Sequence, residues 1–182
     1  MAVDASDLDY RARTRSGCIP PELASRLLER GHVDVVEVQA RRGEWFCTLA
    51  WARLAGAQGR QADALGVLAP YLATGWWRAV VATAELLEGW GRIEEAIVHA
   101  RNHPGGADSY AASAIARLLA DAGRAEEAVT VLRQHGHTDS RALAGYLIDL
   151  GRIDDALAVL QRPRPRRPTA LAYGPWHDGR PF

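Results

Sequence analysis

Apolar residues recur every three or four positions through the middle of the chain, in runs that each stop at a glycine. That spacing is the period of an amphipathic helix, and Val and Ile never alternate with polar residues as a half-buried strand requires. The stops are regular. Gly59-Arg60, Gly91-Arg92, Gly123-Arg124 and Gly151-Arg152 lie 32, 32 and 28 residues apart, and Gly31 precedes them by 28 more. Acids follow each Gly-Arg, as Asp63, Glu94-Glu95, Glu126-Glu127 and Asp154-Asp155. Glycine closes a helix because it enters the left-handed conformation without a Cβ penalty. Acids suit the first turn of the next helix, where the helix dipole favours negative charge. Each glycine therefore predicts the bend of a helical hairpin. Alanines stand seven residues before the bend (Ala52, Ala84, Ala116, Ala144) and five after it (Ala64, Ala96, Ala128, Ala156), small enough to let the paired backbones approach. The expected fold class is all-α, built on an internal repeat.

The repeat resembles the tetratricopeptide family. Its third unit reads Ala112, Ile115-Ala116, Leu119, then Ala128 and Leu132; the fourth reads Ser140, Leu143-Ala144, Leu147, then Ala156 and Leu160. The second reads Val80, Thr83-Ala84, Leu87, Ala96 and Ala100, and the first Thr48, Trp51-Ala52, Ala55, Ala64 and Leu68. The family's leading Trp and closing Pro are missing, and the period is 28 to 32 residues where the family has 34. The resemblance implies an α-solenoid, a superhelix of antiparallel hairpins whose atypical ends protect a continuous core. On this reading residues 20–161 form the repeat domain, with a capping repeat at 20–43 and repeats at 44–75, 76–106, 107–137 and 138–161.

The two ends differ from the array. Residues 1–19 are polar, mixed in charge and without period, and are expected to lack regular structure. Residues 162–182 form a Pro/Arg-rich tail with five of the nine prolines and five arginines against a single acid, Asp178. Its net charge of about +4 leaves residues 1–161 at about −4, because the chain as a whole is neutral. Proline at this density favours an extended form. The tail also carries Tyr173, Trp176 and Phe182, so it either folds back over the acidic body or remains a solvated extension.

Composition narrows the function classes. All 22 basic residues are Arg, which suits paired recognition of carboxylates but also fits a bias of the coding sequence. Cys18 and Cys47 make neither a metal spacing nor a disulfide framework, and Cys47 reads as a buried thiol. Residues 1–20 carry three aspartates and no apolar core, so no signal peptide is expected. No apolar run approaches the ~18 residues that span a membrane. The expectation is a cytoplasmic protein with no cofactor.

No catalytic constellation emerges. His99 and His103 share the i, i+4 spacing of zinc helices, and with His135 and His137 could form a four-His cluster. They lack the neighbouring Glu of zinc proteases, and loop histidines are ordinarily polar surface. The acid pairs recur in every repeat, which fits a first-turn motif better than a catalytic pair, and the chain is read as a non-enzyme. The acidic body argues against nucleic acid, where phosphate contacts dominate affinity.

In the resembled family the first helices line a concave face. Carried onto this chain, that face holds Phe46, Arg53, Arg78, Glu85, Tyr110, Arg117 and Arg141 as candidate partner-binding residues. Arginine forks there could clamp the carboxylate of a peptide or protein partner. Alternatively they are solvated charges paired with Glu85 and Glu88. The six tryptophans are expected mainly to pack between repeats, with one or two left as interface anchors. Function is then a protein-interaction scaffold or adaptor; the other reading is a dedicated regulatory partner of one protein, of immunity or antitoxin type.

Overall fold

The computed structural model describes residues 4–103, 109–135 and 139–162, with Ser109 and Tyr110 described by backbone alone. Among these residues the chain forms eleven α-helices and no strand. They are α1 (Ala5–Thr14), α2 (Pro21–Glu29), α3 (Val33–Arg41), α4 (Trp45–Ala57), α5 (Gln61–Leu72), α6 (Trp77–Gly89), α7 (Ile93–Arg101), α8 (Ser109–Asp121), α9 (Ala125–Gln134), α10 (Ser140–Asp149) and α11 (Ile153–Gln161). The all-α class is as expected.

The recurring glycines are the bends. Gly31, Gly59, Gly91, Gly123 and Gly151 hold φ between +74° and +83°. The next residue then donates its N–H to a carbonyl five residues back: Arg92 to Leu87, Arg124 to Leu119 and Arg152 to Leu147, each at 2.8 Å. These bonds satisfy carbonyls that the helix end would otherwise leave open. Across each bend the two helices pack together, as α2 with α3, α4 with α5, α6 with α7, α8 with α9 and α10 with α11. Successive hairpins join through α3 on α4, α5 on α6, α7 on α8 and α9 on α10, and α4 also touches α2 and α6.

The eight alanines of the repeat are all buried, none more than 4% exposed. Around them lie three apolar clusters that merge into one another. Leu72 and Trp90 pack against both the first and the second, and Leu143 and Tyr146 against both the second and the third. Thr48 and Thr83 are the buried polar residues among those described. The Thr48 hydroxyl donates to the Glu44 carbonyl at 2.8 Å and pairs with the Tyr71 hydroxyl at 3.0 Å, while Thr83 donates to the Ala79 carbonyl at 2.9 Å. Burial without such partners would cost about 1–3 kcal/mol per group.

The amino-terminal segment departs from expectation. Residues 5–14 form α1, started by the Asp4 carboxylate, which accepts the Asp7 N–H at 2.8 Å. Leu8 and Ala12, one helical turn apart, are buried in the same cluster as Trp45, Tyr71 and Trp76. Trp45 stacks edge-on against Tyr71 and Trp76, at centroid distances of 5.1 and 4.5 Å. Two apolar positions are too few to register as a period, yet this aromatic platform is enough to order the helix. The tail, residues 163–182, lies outside the described residues.

Glycines inside helices separate packing from propensity. Gly66 on α5 and Gly145 on α10 have open space where a Cβ would stand, but at Gly56 on α4 a Cβ would lie 2.6 Å from the Trp90 ring. Gly66→Ala and Gly145→Ala should each stabilise the fold by about 0.5–1 kcal/mol, the helix-propensity difference. Gly56→Ala should instead lower the urea midpoint, because it must displace Trp90; a gain at this position would show that the Gly56–Trp90 contact carries no packing constraint.

Candidate partner-binding surface

The candidate residues sit on successive first helices, and the structure treats them unequally. Phe46 on α4 is half-buried and lines a cleft of about 280 Å³ between α2 and α4, with Pro21, Leu28, Leu49 and Arg53. Arg53 reaches across to α6 and pairs with Glu85 at 3.1 Å. From α8, Arg117 pairs with Glu88 of α6 at 2.9 Å and with Asp121, one turn along its own helix, at 2.8 Å. Phe46, Arg53, Glu85 and Arg117 thus belong to one strip over α4, α6 and α8. Arg78 does not join it. It turns to α1 and pairs with Asp9 at 3.3 Å, beside the Trp76 indole. Arg141 is exposed on α10 and makes no ion pair among the described residues. The Tyr110 side chain lies outside the described residues.

Three of the four arginines expected to clamp a partner's carboxylate, Arg53, Arg78 and Arg117, therefore already hold carboxylates of this chain. The hydrogen bond from Arg117 keeps Glu88 below the usual carboxylate range, against the opposing effect of its partial burial. An incoming acid would have to displace Glu85 or Glu88.

A second set of contacts escaped the sequence reading. Each Gly-Arg stop places its guanidinium over the acid three residues on. Arg124 donates through Nε and Nη2 to the two carboxylate oxygens of Glu127, at 2.6 and 2.8 Å, and through Nη1 to Glu94 at the start of α7, at 2.9 Å. Arg92 forks onto Glu95 at 2.7 Å through each of two nitrogens and reaches Gln61 on α5 at 3.1 Å. Arg152 binds Asp155 and reaches Glu126 at 3.5 Å. Arg101 and Arg133 add rungs to Glu127 and Asp155, at 3.2 and 3.4 Å. One planar guanidinium thus holds an acid in the first turn of its own helix and ties that helix to the hairpin before, which a lysine ammonium cannot do with fixed geometry. The signal is in the chain: Asp63, Glu95, Glu127 and Asp155 each stand three after the arginine, a spacing that serves the helix dipole and the guanidinium alike.

A recess of about 800 Å³ lies away from the strip, between α5, α6 and α7. Leu65, Leu72, Leu87, Val98 and His99 line it. The His99 Nε2 atom is buried with no hydrogen-bond partner among the described residues, and burial pushes the imidazole below its usual range, with a smaller contribution from His103. Among the described residues no three metal-ligating side chains converge; His137, the fourth member of the imagined cluster, lies outside them. Cys47 is fully buried, and its burial pushes the thiol up to about 12. No described helix is long and apolar enough to cross a membrane. No protein-family model, no curated protein and no solved structure matches this chain.

These environments set the acid response. The unfolded chain protonates His99 near pH 6.5, and the folded chain only below that. Stability from keeping it neutral is therefore complete above about pH 6.5 and lost as pH falls through the folded value. Glu95 and Glu127 are depressed from 4.5 by hydrogen bonds from Arg92 and Arg124, so their contribution is present above that pH and lost below it. Urea midpoints should thus decline in two stages on acidification, and His99→Leu should shrink the first, to which the imidazole of His103, also pushed down by burial, adds; a single-stage decline in the parent chain would refute it. Arg124→Lys should lower the midpoint at low salt although charge is conserved. An unchanged midpoint would mean that the fork geometry contributes nothing.

Proposed function

We propose that this chain is a non-catalytic protein-interaction scaffold of tetratricopeptide-like, α-solenoid form, which holds a peptide or protein along its first helices. The observation that carries this reading is the strip over α4, α6 and α8, where Arg53–Glu85 and Arg117–Glu88 join neighbouring helices and Phe46, Leu49 and Val81 lie half-buried beside them. A surface whose side chains are already held by one another pays little ordering entropy when a partner arrives. Because the paired arginines are neutralised, the partner favoured is one that inserts an apolar or aromatic side chain between α2 and α4, at Phe46 and Leu49. Its acids would be secondary, directed to Arg141.

The test is affinity purification with mass spectrometry from the native cell, comparing the full chain with Phe46→Ala/Leu49→Ala. Polypeptides bound on the strip should fall by about tenfold or more, the loss of one anchor worth about 1.4 kcal/mol. Recovery of the same set at the same level by both chains would overturn the reading. Several weakly held partners would fit an adaptor, and one tightly held folded protein would fit a dedicated regulator.

A further inference from the structure

The last hairpin is unfinished, and the repeat register shows what is missing. The residue nine after each bend glycine is Ala40, Leu68, Ala100 or Leu132, none more than 4% exposed. At the same place on α11, Leu160 is 54% exposed. Six after the bend, Ile97 and Val129 are buried, while Leu157 is 48% exposed. In the interior hairpins the next first helix packs on this side, as α8 does on α7 and α10 on α9. The ion-pair ladder stops at the same point. The acid three after a bend glycine accepts the arginine of the next bend, Glu94 from Arg124 and Glu126 from Arg152. Asp154 holds that position on α11, exposed and without an ion pair among the described residues.

The chain itself contains a segment that matches the vacancy. Gly179-Arg180 stands 28 residues after Gly151-Arg152, the spacing that separates Gly123 from Gly151. Eight and seven before Gly179 are Leu171-Ala172, as Leu143-Ala144 are before Gly151, and Ala170-Leu171-Ala172 repeats Ala142-Leu143-Ala144. Pro175 takes the place of Leu147. A proline there interrupts a helix, which is why this unit is invisible to a search for apolar period. We propose that residues 169–180, which lie outside the described residues and repeat the sequence register of a first helix, are the occupant of the open side of α11 at Leu157, Leu160 and Asp154. Charge favours this occupant, because the segment from Arg162 is net positive and the body net negative.

Two measurements on the full chain test it. Chymotrypsin should cut after Tyr173 and Trp176 slowly in the parent chain, and about tenfold faster in Leu157→Asp/Leu160→Asp, since cleavage tracks the undocked population. Both substitutions are at exposed positions, and circular dichroism checks that the helices remain. Asp154→Arg and Arg180→Asp should each accelerate cleavage, and the double exchange should slow it again. Equal cleavage in all variants would overturn the proposal. So would a dimer, detected by light scattering, that Leu160→Asp dissociates, because the occupant would then be a second copy.

Discussion

A glycine near φ +75° at the end of each first helix lets the second helix turn back at once, and the buried alanines on both helices let the two backbones nest. The one condition is useless without the other. A tight bend between helices with bulky seams would splay them, and small seams without the bend would leave two rods with no reason to meet. Satisfaction of the helix-end carbonyls comes with the bend, because the residue after the glycine is delivered to the carbonyl five back. The core is therefore laid down hairpin by hairpin, and large side chains such as Leu72, Trp90, Leu143 and Tyr146 then sew one hairpin's core to the next.

The arginine after Gly91, Gly123 and Gly151 extends this local device into a link between repeats. Its guanidinium is planar and presents donors in two directions, so a single side chain can hold the first-turn acid of its own helix and still reach the preceding hairpin. The hairpin bend and the inter-repeat rung are adjacent residues, and the bends at Gly91, Gly123 and Gly151 each bring a link. First helices use a different set, Arg53–Glu85 and Arg117–Glu88, on the strip proposed to face a partner. Charge on this protein is mostly consumed internally. On the proposed reading, that redirects recognition from charge to the apolar and aromatic side chains left between the rungs.

A repeat array also makes its ends legible. An interior position tells what its terminal equivalent lacks, so the exposure of Leu157 and Leu160 and the open rung at Asp154 are anomalies only by comparison with Ile97, Val129, Glu94 and Glu126. At the other end α1 plays the covering part, with Leu8 and Ala12 over the aromatic platform and Asp9 against Arg78. The two ends thus differ: a short helix covers one, and the tail segment is the proposed cover of the other.

The bends at Gly31, Gly59, Gly91, Gly123 and Gly151 and the buried alanines could be read from the chain alone. They are local: backbone conformation at one residue, and side-chain size at fixed offsets from it, suffice to specify a hairpin. Where α1 lies, that Arg78 faces Asp9 and not the strip, and that Arg53 and Arg117 are already occupied were decided only by the tertiary structure. Those contacts join residues far apart in the chain, 69 for Arg78 with Asp9 and 32 for Arg53 with Glu85. No period encodes such distances. A guanidinium goes to whichever carboxylate the packed helices bring within reach, and the helices must be packed before that choice exists.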